Sequence, residues 1–139
     1  MICVAGLGVS GTAVARAMAA RGEKVVVLEG RDGERARATA AELAGIGVEV
    51  RFGEPVEPPA GTSLIVATGW PPHHPLLVAA AEAGVEVIGE VELAWRLRPA
   101  GAAPWLALTG TNGKTTVVRM LTSMLTAAGH AACMFYTST

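Results

Sequence analysis

The sequence predicts an α/β fold over residues 1–98, a five-stranded parallel sheet with helices on both faces. Three observations predict it. Short apolar runs such as "VVVL" and "LIVA" recur along the chain; they are too brief for helices and read as strands buried on both faces. Segments with apolar residues at helical spacing separate them, the alternation that a crossover-linked parallel sheet requires. Glycine closes most of the runs, which sharpens the strand ends.

Each element follows in order. "MICVAG" is a buried strand, and "SGTAVARAMAARG" is a helix that stops at Gly22. "EKVVVLEG" is the second strand. "DGERARATAAELAGIG" is a helix, with Asp32 as its cap and Gly45 near its end. "VEVRFG" alternates, as a half-buried third strand does, and "EPVEPPAG" is a Pro-rich loop. "SLIVATG" is a fourth strand ending at Gly69. "WPPHHPLLVAAAEAG" opens with prolines and turns helical, "VEVIGE" is the fifth strand, and "VELAWRLR" is a short helix. "PAGAAP", residues 99–104, reads as a linker. Beyond it, "WLALTG" reads as a new buried strand and "KTTVVRMLTSMLTAAG" as a helix. Val117, Leu121, Met124 and Ala128 share one face of that helix, and Met120 and Met124 read as core. Residues 105–139 are too few to bury a core alone. They read as the start of a second domain, truncated or packed on the first.

Bulk properties exclude several function classes. A net charge of −1 creates no field that would draw nucleic acid or anionic membrane. Aromatic residues make up 4%, too few for base-stacking platforms. No apolar run is long enough to span a bilayer, and the N-terminus lacks a basic signal-peptide segment. Cys3 and Cys133 lie far apart and read as reduced thiols rather than a disulfide framework. A soluble cytoplasmic protein is expected.

Two glycine loops carry the chemistry. In "GLGVSG", Gly6, Gly8 and Gly11 have G-x-G-x-x-G spacing between strand and helix. Such a turn is Rossmann-like: it brings bare backbone and a helix N-terminus close to a phosphate. Glu29, ending the second strand, stands where a dinucleotide domain carries its ribose-binding acid. A tight turn without ligand, or an NAD(P)-binding oxidoreductase or sensor domain, also fits this loop. In "LTGTNGKTT", a second strand-to-helix turn holds Gly110, Thr111, Asn112, Gly113, Lys114, Thr115 and Thr116. Lys114 is suited to the β- and γ-phosphates of ATP, and Thr115 to Mg²⁺. The standard P-loop glycine is missing, because Leu108 stands there. A merely capped helix start is the bland reading. Both loops in one chain point to an enzyme that holds a nucleotide-linked substrate and also consumes ATP.

"GTNGKTT" resembles the shortened phosphate loop of the Mur ligases, ATP-dependent amino-acid ligases of peptidoglycan synthesis; their loop has its glycine where Gly110 stands. "GLGVSG", "ATGWPPHHPLL" and "GEVELAWR" resemble the D-glutamate-adding branch of that family. The resemblance implies residues 1–98 as the binding domain for UDP-N-acetylmuramoyl-L-alanine. Val9 and Ser10 would meet the diphosphate, Glu29, Gly30 and Arg31 the uracil, and Gly69 the turn after the fourth strand. It implies ATP and Mg²⁺, with Lys114 and Thr115 catalytic, and residues 105–139 as the start of the central ATP-binding domain. Glu-Gly-Arg at 29–31 and Ala-Thr-Gly at 67–69 depart from the family's usual residues. His74 matches a family position and reads as structural. Trp70 reads either as loop packing or as a lid.

Glu92 is the last acidic residue, so no magnesium-binding carboxylate follows the second loop. The D-glutamate site is also expected elsewhere, and the chain is expected to be inactive alone. A monomer is implied for the longer protein, whereas an exposed apolar helix face would support a dimer of this stretch. The tail "HAACMFYTST" departs from the family pattern.

Overall fold

The computed structural model describes residues 1–134. The chain divides into two compact units, Met1–Pro99 and Ala100–Thr139. In the first, five strands carry the sheet: β1 (Ile2–Ala5), β2 (Val25–Glu29), β3 (Glu49–Phe52), β4 (Leu64–Ala67) and β5 (Glu86–Gly89). Four helices connect or follow them: α1 (Val9–Ala19), α2 (Glu34–Ala44), α3 (Pro75–Glu82) and α4 (Glu90–Arg96). Strand order is β3-β2-β1-β4-β5, and all four pairings are parallel.

That order locates the site. The chain builds outward from β1 through β2 to β3, then returns to the other side of β1 for β4 and β5. The loops after β1 and β4 therefore leave the sheet in opposite directions, opening a crevice at the carboxyl ends of these two strands. In register, Ala5 pairs with Ala67, so the "GLGVSG" turn and the Thr68–Gly69 turn leave the sheet side by side.

Strand alternation divides the core. Ile2 and Val4 pack with Val14, Ala15, Met18 and Leu43 in one cluster. Cys3 and Ala5 pack with Val26, Ile65, Leu76 and Leu77 in the other. Both faces of β1 are thus dry, which explains why its sequence is a continuous apolar run. At the sheet edge, β3 alternates between exposed and half-buried residues, as its sequence predicts. Burial raises the Cys3 thiol to about 12, with the Arg51 charge opposing it.

Three expectations need correction. The N-cap of α2 is Gly33, not Asp32. Asp32 instead accepts two hydrogen bonds from the Arg37 guanidinium, at 2.6 and 2.8 Å; the fork geometry of the charged pair outcompetes a single backbone N–H. "WLALTG" forms no strand, and Trp105 and Leu106 are exposed. A strand exists only in a ladder, and no partner strand is present among the described residues of the second unit. The helix α5 (Lys114–Ala127) does form, but Val117, Met120 and Met124 are exposed rather than core. The part of the tail beyond residue 134 lies outside the described residues. Among the described residues no helix is long and apolar enough to cross a membrane.

Candidate functional site

The glycine turn after β1 contains two kinds of glycine. Gly6 leaves the strand with φ of 112°, and a Cβ on it would lie 2.7 Å from the Thr68 carbonyl oxygen. A Cβ on Gly11 would lie 1.9 Å from the Gly6 carbonyl oxygen. The close seating of α1 on the turn excludes side chains at both positions. Gly8 is different. Its φ is −71°, and a Cβ there would meet nothing within 4 Å. Neither backbone strain nor packing calls for glycine at residue 8.

Around Gly8 the structure gathers the residues that the sequence singled out. Val9 starts α1 and is 86% exposed, and Ser10 is half-buried. No side chain caps α1, so its first N–H groups stay available to an anion. Glu29 ends β2 with its carboxylate turned to the backbone: Oε2 accepts from the Leu7 N–H at 2.8 Å and Oε1 from the Arg31 N–H at 2.9 Å. Gly30 is half-buried, Arg31 exposed and Gly69 exposed, the last with φ of 97°. Val9 and Ser10 open α1, Glu29 ends β2, and Gly30, Arg31 and Gly69 lie in the turns after β2 and β4, so all six stand at the carboxyl ends of the neighbouring strands β2, β1 and β4. Beyond β3, a cavity of about 310 Å³ opens between Leu28, Phe52 and the Pro-rich loop at Pro55 and Pro59.

His74 is the N-cap of α3, its Nδ1 accepting from the Leu76 N–H at 3.2 Å. Trp70 packs on the Cys3 cluster and stacks against His74, ring centroids 4.1 Å apart. Of the two readings for Trp70, this geometry is loop packing, and it makes His74 a structural residue. Sequence reasoning missed Thr68. It is buried, and its hydroxyl lies 3.0 Å from the Ala5 carbonyl oxygen and 3.3 Å from that of Gly6. Only its place beside Gly69 hinted at such a role.

In the second unit, Gly113 with φ of 77° is the N-cap of α5, and no side chain caps that helix either. Lys114 donates from Nζ to the Gly110 carbonyl at 2.5 Å, closing the loop on itself. Thr111, Asn112, Thr115 and Thr116 are all exposed.

Residues 1–89 match the family model described as NADP oxidoreductase coenzyme F420-dependent, and by that measure the chain belongs to this family. The match ends before the second loop. Relatives reach further. The chain is 61% identical over 132 residues to UDP-N-acetylmuramoylalanine–D-glutamate ligase (MurD) of Thermobifida fusca (strain YX), a match covering 94% of this chain and 28% of that protein. It is 60% identical over 129 residues to the same-named ligase of Streptomyces avermitilis, covering 92% and 28%. The chain is MurD-like. A match over 94% of the chain takes in residues 108–120, so the ligase relatives align with the second loop and the family model does not. The two results agree on the Gly6–Gly11 domain and differ on what was built around it. The MurD-like chain spans little more than a quarter of those relatives' length.

Solved structures share the fold. The crystal structure of UDP-N-acetylmuramate-alanine ligase MurC from Thermotoga maritima superposes with a TM-score of 0.60 at 23% identity, over 92% of this chain and 29% of that one. The UDP-N-acetylmuramate:L-alanyl-gamma-D-glutamyl-meso-diaminopimelate ligase from Neisseria meningitides gives 0.59 at 20% identity, over 92% and 40%.

Proposed function

We propose that this chain is the UDP-substrate-binding part, with the first ATP-binding loop, of a cytoplasmic ligase that adds D-glutamate to UDP-N-acetylmuramoyl-L-alanine in peptidoglycan precursor synthesis. The observation that carries this reading is Gly8. Gly8 is the N-cap of α1, a place that Ser or Asn would fill at least as well; neither a positive φ nor packing demands glycine there, and it lies in the crevice at the carboxyl ends of β1 and β4. A diphosphate approaching the backbone supplies the reason. The names of the relatives select a UDP-linked substrate.

In this reading Val9 and Ser10 present the uncapped N-terminus of α1 to the diphosphate. Glu29, Gly30, Arg31 and Gly69 line the nucleoside side, where the Arg31 guanidinium plane suits stacking on uracil. The proposed domains are residues 1–98, a linker at 99–104, and an ATP-binding segment from 105. Gly110 to Thr116 would cradle the ATP phosphates, with Lys114 giving up its bond to the Gly110 carbonyl to meet their charge. The γ-phosphoryl group would pass to the L-alanyl carboxylate, releasing ADP. The D-glutamate amine would then attack the acyl carbon, lose a proton and expel phosphate. Electrostatic neutralisation and alignment would lower the barrier. Thr115 offers a single oxygen donor to Mg²⁺. No group of three acidic, histidine or cysteine side chains suited to a metal occurs among the described residues. These residues do not form a magnesium site by themselves. Ligation by this stretch alone is not expected.

The family model supports a second reading, a nicotinamide nucleotide in the same crevice. Calorimetric titration and thermal shift separate the two. At a hundredfold excess over Kd, a bound ligand adds about 2.7 kcal/mol of stability. UDP and UDP-N-acetylmuramoyl-L-alanine should raise the melting temperature while NADPH does not. A rise with NADPH and none with UDP would overturn the ligase reading.

A further inference from the structure

We propose that Thr68 is a positioning residue for diphosphate binding, acting through the Gly6–Leu7 peptide; this rests on the ligase reading above. A peptide unit is a rigid plane, so two anchors at its ends set its orientation. The Gly6 carbonyl oxygen lies 3.3 Å from the Thr68 hydroxyl. The Leu7 N–H at the other end of the same plane donates to Glu29 Oε2 at 2.8 Å. One anchor comes from the turn after β4 and the other from the end of β2, so the plane is held across the central strand.

The Thr68 backbone fixes where its hydroxyl stands. The Thr68 N–H donates to the Ala5 carbonyl at 2.9 Å, extending the β1–β4 ladder by one residue. The hydroxyl shares its one proton between that same oxygen at 3.0 Å and the Gly6 carbonyl oxygen at 3.3 Å, a three-centre bond that ties the two carbonyls together. From the helix side, Gly11 seats against the Gly6 carbonyl, and a Cβ on it would also lie 2.8 Å from the Thr68 hydroxyl. The Gly6 carbonyl is therefore confined between α1 and Thr68. That plane is the fixed end from which the chain enters α1, whose first N–H groups follow from Gly8 to Ser10. If a diphosphate binds them, the hydroxyl of Thr68 pre-organises its site without touching it.

The test compares UDP with uridine, which lacks the phosphates, by calorimetric titration of the 139-residue chain. Thr68→Val removes the hydroxyl at nearly constant volume. Losing one buried hydrogen bond that orients the loop should weaken UDP binding by about tenfold, leave uridine binding unchanged, and be rescued by Thr68→Ser. If Thr68→Val does not fold, Thr68→Ser against Thr68→Ala isolates the hydroxyl in the same way. Wild-type affinity for UDP in the hydroxyl-free variant, or equal losses for UDP and uridine, would overturn the proposal while leaving the ligase reading intact. Failure of the unmodified chain to bind UDP would overturn both.

Discussion

Gly11→Ala probes how tightly the first helix is seated on the glycine turn. The new Cβ would lie 1.9 Å from the Gly6 carbonyl oxygen, 2.8 Å from the Gly6 carbonyl carbon and 2.8 Å from the Thr68 hydroxyl. The first two contacts are backbone, so no rotamer relieves them. The helix and the turn must separate by about 1.5 Å to restore ordinary contact. Overpacking of this kind costs up to about 3 kcal/mol, and loss of the Thr68–Gly6 hydrogen bond adds about 1 kcal/mol. Replacing glycine inside a helix returns about 1 kcal/mol of propensity. The net is a destabilisation of about 3 kcal/mol, which for a unit of this size lowers the melting temperature by roughly 12–24 °C. Thermal unfolding followed by circular dichroism measures it. Gly8→Ala is the internal comparison. With open space at its Cβ position it should cost less than about 1 kcal/mol as a poorer N-cap, yet weaken UDP binding by at least about tenfold. A Gly11→Ala chain melting within about 3 °C of wild type, on the same scale, would refute the claim that the turn is rigidly seated.

Other consequences follow from the core and the surface charges. Leu76→Ala empties a fully buried position in the second cluster and should cost about 2–5 kcal/mol in denaturant unfolding, whereas Val78→Ala, at an exposed neighbour, should stay within about 0.5 kcal/mol of wild type. A thiol reagent should modify exposed Cys133 in the native chain and reach buried Cys3 only after unfolding. Because burial raises the Cys3 thiol to about 12 from 9.0, only the unfolded chain ionises it just above pH 9, so its contribution to stability should fall there and not in Cys3→Ala. Hydrogen bonds from Arg37, Arg51 and Arg96 hold Asp32, Glu49 and Glu86 below their ordinary values. Their stabilisation is therefore present above pH of about 4–5 and lost as pH falls through the folded values. The acid side of the melting profile should flatten in high salt, since all three pairs are exposed.

How much of this could be read from the sequence depends on how far apart the interacting residues lie. Buried parallel strands advertise themselves, because both faces of β1, β2 and β4 must be apolar, and the helices between them repeat at helical spacing. The turn signals at Gly6, Gly22 and Gly45 are equally local. "WLALTG" misled because it has a strand's composition without a strand's partner, and pairing is not a local property. Asp32 misled because Arg37, a turn further on, competes for it. At the site the limit is sharper. Gly6, Gly8 and Gly11 are the same letter in one motif, yet the fold requires glycine only at the first and last. That distinction depends on Thr68, 62 positions away from Gly6, and on a register in which Ala5 faces Ala67. A one-residue slip would turn the Thr68 side chain to the other face. Once the fold accounts for Gly6 and Gly11, Gly8 is left with its N-cap role alone, which Ser or Asn fills at least as well, and a phosphate meeting the bare backbone gives glycine the advantage there.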